Sequence, residues 1–372
     1  MQNSSLPTNW INQYKIPFLL VCFYWIVASA SYAGFAAKWG MREDCYRFTL
    51  DRVLDGSAHR PYVYRQLVPT LANLITLKTP PELVTKITEA YYFGPFRYYS
   101  NADSRLAKFS ADYKFKWIIV YWIGFFFLLA SLFLLRKILS LSGLPDFAAT
   151  FAPSIFVLCF PVIQSNGGFY YDFGELFFML LLVYLVISKK YLGCLIAVLL
   201  GTLNKETFLF FIPLIFPFWS SAYAQIEKYL LTLGLFVVSG LVHFIIKFWY
   251  SLNPGDQTEW HFFSNIKQYI NPFAYLQIDD SYGMITPRGF NLIILLLIFI
   301  LVKIAWRRFC AKTKNFTYLA LAINYPLFLL FGIHVEIRGL SFLYLPCVYL
   351  IAHALVAYQE KSYSKIKLNL DS

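Results

Sequence analysis

Long apolar runs separated by short polar groups organise this chain. Ile16–Ala37, Trp117–Leu135, Lys228–Tyr250 and Phe290–Ile304 each approach the roughly 20 apolar residues that cross a hydrocarbon core. In lipid the backbone must satisfy its own hydrogen bonds, so uninterrupted runs of this kind are helices. A membrane β-barrel would alternate apolar and polar positions in strands of about ten residues. The pattern therefore predicts an all-α polytopic membrane protein with about ten transmembrane helices, over 17–38, 116–136, 146–164, 170–188, 190–203, 206–220, 228–250, 288–306, 316–333 and 339–358. The chain reads as a single integral membrane domain, 1–372. Lys15, the apolar run after it and Ala28-Ser29-Ala30 resemble a signal peptide, but the run continues to Trp39 and predicts an uncleaved helix.

Two long segments fall between crossings, a first loop over 39–115 and a second over 251–287. In the first, Val63, Leu67, Leu71 and Leu74 recur at helical spacing, and Pro69 is expected to kink that helix. Pro80-Pro81 opens a second helix in which Leu83, Ile87 and Tyr91 share a face opposite Glu82, Lys86 and Glu89. Both are expected to lie in the membrane interface. Tyr191–Leu203 and Thr207–Trp219 are short for crossings. They are read as two segments meeting at Asn204-Lys205-Glu206, because one broken helix would reverse everything downstream.

Charge gives the array its orientation. With both termini in the cytoplasm, Arg136-Lys137, Lys189-Lys190, Lys228, the run from Lys303 to Lys314 and the tail lysines 361, 365 and 367 all fall inside, as positive-inside bias requires. The opposite side receives Gln164–Gly168, Asn204–Glu206, the loop with Asp256, Glu259, Asp279 and Asp280, and His334–Arg338. The net charge of +12 thus resides at helix ends; the cations do not interleave with aromatic positions as a nucleic-acid surface would, so no nucleic-acid partner is expected. The chain is 59% apolar and 14% charged, against about 25% charged in soluble domains. The six cysteines show no paired spacing, which argues against a disulfide framework or a zinc site.

Five polar clusters collect on the outer side. Arg42-Glu43-Asp44 puts two carboxylates just beyond the first crossing, suited to base catalysis or cation binding. His59–Pro69 carries Arg60 and Arg65, whose guanidinium forks match phosphate oxygens or lipid headgroups, beside Tyr62 and Tyr64. Asp172 and Glu175, three apart, share a helix face at the mouth of the fourth crossing. Lys205 and Glu206, next to Asn204, can neutralise each other, and so can Glu336 and Arg338, next to His334. Each cluster alone has a structural explanation. Five together are costly near a membrane and predict one polar cavity opening outward.

A single early crossing, a long outer loop starting with an acidic pair and containing interfacial helices, and many later crossings resemble the GT-C class of membrane glycosyltransferases. Arg60-Pro61-Tyr62, Tyr64-Arg65, Asn204-Lys205-Glu206-Thr207 and Glu336-Ile337-Arg338 resemble motifs of bacterial membrane proteins grouped with that class. The resemblance implies a polyprenyl-phosphate-linked sugar donor, a glycan, lipid or protein acceptor, and a site on the extracytoplasmic face of a bacterial inner membrane, in cell-envelope glycan or glycolipid synthesis. It implies catalytic roles for Asp44 and Glu43, as base or as ligands of a divalent cation such as Mg²⁺ or Mn²⁺. Arg60, Arg65, Lys205 and Arg338 become donor-phosphate ligands. Tyr62, Tyr64, Asp172, Glu175, Asn204, Glu206, His334 and Glu336 become cavity residues. A transporter or flippase of a lipid-linked or anionic solute and a polysaccharide polymerase stand as alternatives, the first because transporters use discontinuous helices at their binding sites.

Overall fold

The computed structural model describes residues 9–42, 45–92, 110–164, 167–256, 258–279 and 285–370. It is helical almost throughout, with one two-residue antiparallel strand pair, β1 (Ile278–Asp279) and β2 (Thr286–Pro287). Helix α1 spans Asn9–Trp39. The first loop contributes α2 (Leu50–Asp55), a 3-10 turn at Tyr62–Tyr64, α3 (Leu67–Lys78) and α4 (Pro81–Tyr92). After it come α5 (Ala111–Leu141), α6 (Asp146–Leu158), α7 (Phe160–Ile163), α8 (Tyr170–Ile187), α9 (Tyr191–Asn204) and α10 (Phe208–Phe211), which runs into a 3-10 stretch at Ile212–Phe218. The remainder is α11 (Gln225–Trp249), α12 (Phe262–Ile270), α13 (Leu292–Ala305), α14 (Ala311–Phe331) and α15 (Tyr344–Leu370), the last preceded by a 3-10 stretch at Ile337–Leu343.

Among the described residues, five helical segments are long and apolar enough to cross a bilayer: Pro17–Trp39, Ala111–Leu141, Tyr170–Ile187, Gln225–Trp249 and Ile337–Tyr363. They make this an integral membrane protein. Helix α11 presents Leu233, Val237, Leu241, Phe244 and Phe248 outward, the arrangement of a helix whose solvent is lipid.

The core lies where α5, α8, α9, α6 and α15 pack on one another. Leu128, Leu132 and Leu135 of α5 meet Leu182, Val183 and Val198 there. Tyr32 of α1 crosses into this layer, with its ring 4.8 Å from that of Tyr121 and its hydroxyl donating to the Tyr121 carbonyl at 2.8 Å.

Several boundaries differ from the sequence expectation. The segment expected at 146–164 breaks at Cys159, where Pro161 cannot donate a helical hydrogen bond, into α6 and the one-turn α7. Helix α3 starts at Leu67, so Pro69 falls in its first turn, where no intrahelical donor is needed, and Val63 belongs to the separate 3-10 turn; no kink is required. The α3 face is also rotated: Leu67, Val68, Ala72 and Thr76 are buried, while Leu71 and Leu74 face outward.

The short pair over 190–220 is a hairpin. The rings of Tyr191, at its start, and Trp219, at its end, stack 6.1 Å apart, so α10 and its 3-10 extension return alongside α9. Fourteen residues of α9 rise roughly 21 Å at about 1.5 Å each, short of the ~30 Å hydrocarbon thickness. The tip at Lys205–Thr207 packs against α8, where Lys205 is buried.

Candidate functional site

Six segments converge on one end of α8. They are the end of α1 with Arg42 just beyond it, the 3-10 turn leading to Arg65, Gln164 with Gly167–Phe169, the first turns of α8, the hairpin tip and the turn at Glu336–Ser341. The first requirement is local. Asp172 in the first turn of α8 accepts from the Phe169 backbone N–H at 3.0 Å, closing the helix start with the charge sign its dipole favours. The second is steric. A Cβ on Gly174 would lie 2.2 Å from Asn204 Oδ1, so glycine lets the tip dock on α8. Asn204 then donates through Nδ2 to the Tyr171 carbonyl at 2.9 Å.

That docking delivers Lys205 to α8. Its Nζ lies 2.6 Å from Glu175 Oε2 and 3.6 Å from Asp172 Oδ1, so one ammonium serves the two carboxylates that share the α8 face. Glu175 also accepts from Ser341 at 2.9 Å and Thr207 at 3.3 Å, and Asp172 from Gln164 at 3.2 Å. Arg338 reaches Asp172 at 3.3 Å and Glu336 at 2.8 Å. Glu206 turns the other way, to Arg65, with Nη2 2.7 Å from Oε1 and Nε 3.1 Å from Oε2. The mutual Lys205–Glu206 neutralisation is therefore corrected: adjacent side chains diverge to partners on different segments. Glu336 and Arg338 do pair locally, but Arg338 also bridges to α8.

Burial works to raise the Glu206 carboxyl, yet the Arg65 guanidinium outweighs it and holds the acid below the usual carboxylate range. Burial works in turn to lower Arg65, while Glu206 and the Tyr171 hydroxyl, which accepts from Arg65 Nη1, raise it well above its ordinary value. Both groups stay ionised.

Aromatic rings separate the cations. The Tyr171 ring lies 4.2 Å from the Arg65 guanidinium and stacks on Phe169 at 4.8 Å. Phe169 in turn carries Arg42 at 4.6 Å and Arg338 at 4.8 Å from its centroid. Such contacts stabilise a cation by about 0.5–2 kcal/mol where water is scarce. Arg42 adopts a left-handed φ of 59°, uncommon for a side chain of this size, and also lies over the Trp39 and Phe48 rings. Arg42 and Arg338 approach one another at Gly167, where a Cβ would lie 3.3 Å from Arg42 Nη1, 3.5 Å from Arg338 Nε and 3.2 Å from Glu336 Oε1. Arg338 Nε is buried with no acceptor among the described residues.

The expected site residues thus divide. Arg65, Asp172, Glu175, Asn204, Lys205, Glu206, Glu336 and Arg338 form one network, with Tyr62 beside it at 5.2 Å from the Arg65 guanidinium. Arg60 is elsewhere: it donates to the Ser251 and Gly255 carbonyls at 3.1 and 2.6 Å and fastens the second loop. Tyr64 is buried against His243 of α11, ring centroids 6.4 Å apart. His334 keeps company with Arg288 and His261; burial first and those neighbours next push its imidazole below the ordinary histidine range. Glu43 and Asp44 lie outside the described residues.

Gln164, Gly167, Phe169, Tyr171, Thr207 and Ser341 complete the network without having been assigned to it from sequence. Gln164–Gly168 and Tyr170–Glu175 were visible as polar interruptions; Ser341, in an apolar run, gave no signal. Among the described residues no group of three or more His, Cys, Asp or Glu is placed to hold a metal ion. The acids here face lysine and arginine, so they offer a divalent cation no ligand set. A separate groove of about 310 Å³ opens between α2 and α3, lined by Leu54, Gln66, Thr70, Asn73, Leu77 and Tyr250. No family model, curated protein or solved structure matches this chain.

Proposed function

We propose that this chain is a membrane glycosyltransferase that uses a polyprenyl-phosphate-linked sugar at the extracytoplasmic face of a bacterial inner membrane. One observation carries the reading. Arg65, Lys205 and Arg338, from three segments, pair with Asp172, Glu175, Glu206 and Glu336 at one end of α8, and Arg42 lies near Arg338 at Gly167. Preorganised charge in a water-poor site stabilises a developing phosphate anion. We place the donor phosphate at Arg338, whose Nε is buried with no acceptor among the described residues, beside Gly167.

In this reading an acceptor hydroxyl attacks the anomeric carbon and its proton passes to Asp44 or Glu43. The bond from that carbon to the phosphate oxygen breaks, and the lipid phosphate departs with the bonding electrons. The ten crossings, both termini cytoplasmic and α3 and α4 in the outer interface belong to the same proposal. The test is purified protein in vesicles with a polyprenyl-phosphate sugar, following release of the polyprenyl phosphate. Base catalysis typically contributes about 10²–10⁴-fold, so Asp44→Asn, or Asp44→Asn with Glu43→Gln, is expected to lose that much turnover while remaining folded. Full turnover in the double variant overturns the assignment.

One observation favours a second reading, transport of a lipid-linked or anionic solute: the hairpin tip places Lys205 and Glu206 among apolar helices, as interrupted helices do in transporters. Solute movement across sealed vesicles with the sugar–phosphate bond intact decides for it.

A further inference from the structure

The second loop carries a row of large apolar side chains that its own fold leaves uncovered. In α12, Phe263, Ile266 and Ile270 recur at helical spacing on one side, and Phe263 and Ile270 are 76% and 77% exposed. The row continues through Phe273, Leu276, Ile278 and Ile285, all exposed. Contiguous apolar surface of this extent is rare on a face bathed in water.

The opposite side of α12 is fixed to the bundle. Asn265 is fully buried, and its Nδ2 donates to the Leu329 and Gly332 carbonyls, at 2.9 and 2.8 Å, where α14 ends. Trp260 packs on Phe331, the last residue of α14, with centroids 5.6 Å apart. Asn291, which caps α13, donates to the Gln277 carbonyl at 2.7 Å, and Lys38 near the end of α1 pairs with Asp279 of β1. The loop is therefore held where α1 and α14 end and α13 begins. Leu292 and Ile293, which open the outward face of α13, are exposed as well.

We propose that α12 and the segment after it lie in the outer leaflet, with Phe263, Ile266, Ile270 and Phe273 inserted at the boundary between headgroups and acyl chains. An amphipathic helix in that position sinks about 5–10 Å and keeps its polar side toward protein and water. Here that side holds Asn265, and Lys267 remains exposed for headgroup phosphates. The loop so anchored also holds Glu259, which pairs with Arg47 of the first loop at 3.6 Å, so lipid contact fixes the second loop over the first. The inference rests on the orientation of the crossings proposed above and not on the reaction.

The test is hydroxyl-radical footprinting of the full chain in phosphatidylcholine vesicles, read by mass spectrometry at Phe263 and Phe273. Phe299 in α13 and Tyr46 in the first loop, both exposed on the protein surface, serve as references. Oxidation several-fold slower than at Tyr46, equal to that at Phe299 and unchanged on dilution of protein in lipid, is the expected result. Oxidation at the rate of Tyr46 overturns the proposal. Protection that disappears on dilution overturns it too, because it assigns the row to contact between copies of the chain.

Discussion

Arg65 and Glu206 stand 141 positions apart and meet in a two-point ion pair, with both contacts at 3.1 Å or less. Both side chains are largely buried, so removing one strands a charge in a low-dielectric setting, at a cost of about 3–5 kcal/mol. Arg65→Ala is expected to lower stability by that amount in reversible unfolding in detergent. Arg65→Lys is expected to recover only part, since an ammonium lacks the planar fork. The Arg65→Ala/Glu206→Ala double variant should be less destabilised than the sum of the singles; strict additivity would show that the pair is not coupled.

The same pair sets an acid limit. Glu206 is held below its ordinary range when folded, so its contribution is complete above the unfolded carboxyl value of about 4.3 and is lost as pH falls through the folded one. Melting temperature against pH should fall more steeply below about pH 4.3 for the native chain than for Glu206→Gln. Parallel curves would refute the assignment.

Gly174→Ala places a methyl group within 2.2 Å of Asn204 Oδ1. Helix propensity alone would make this substitution favourable by about 1 kcal/mol, so a loss of stability reads the overlap directly. The expected net effect is a destabilisation of about 1–3 kcal/mol, relieved in large part by adding Asn204→Ala. A neutral or stabilised Gly174→Ala would mean that the hairpin tip does not dock on α8.

Part of this arrangement was legible in the sequence. That charged groups gather at helix ends was readable, because lipid forces them there. The shared face of Asp172 and Glu175 followed from helix geometry alone. Partner choice did not: nothing local tells Lys205 to take Glu175 rather than its neighbour Glu206, since that follows from how the tip enters between α8 and the first loop. Arg60 was assigned with Arg65 because both carry the same group on one short segment. A 3-10 turn between them sends one to the second loop and the other to α8. The break at Cys159 was masked by continuous hydrophobicity, which measures lipid compatibility and not helix continuity.

Gly167 offers a test specific to the proposed reaction. A valine there would place its Cβ within 3.5 Å of Arg42, Arg338 and Glu336, filling the notch assigned to the donor phosphate. Gly167→Val is expected to raise KM for the lipid-linked donor by about tenfold or more, equivalent to about 1.4 kcal/mol or more of lost binding, with melting temperature little changed. An unaltered KM would remove the phosphate from this position.

The α9–α10 hairpin also bears on how the protein is made. Its charged tip is made only after Arg65, Asp172 and Glu175 have been synthesised, since chains emerge from the N-terminus onward. Lys205 and Glu206 thus follow their counter-charges in the chain, and each has its partner already synthesised. Arg338 and Ser341 arrive last and complete the partners of Asp172 and Glu175.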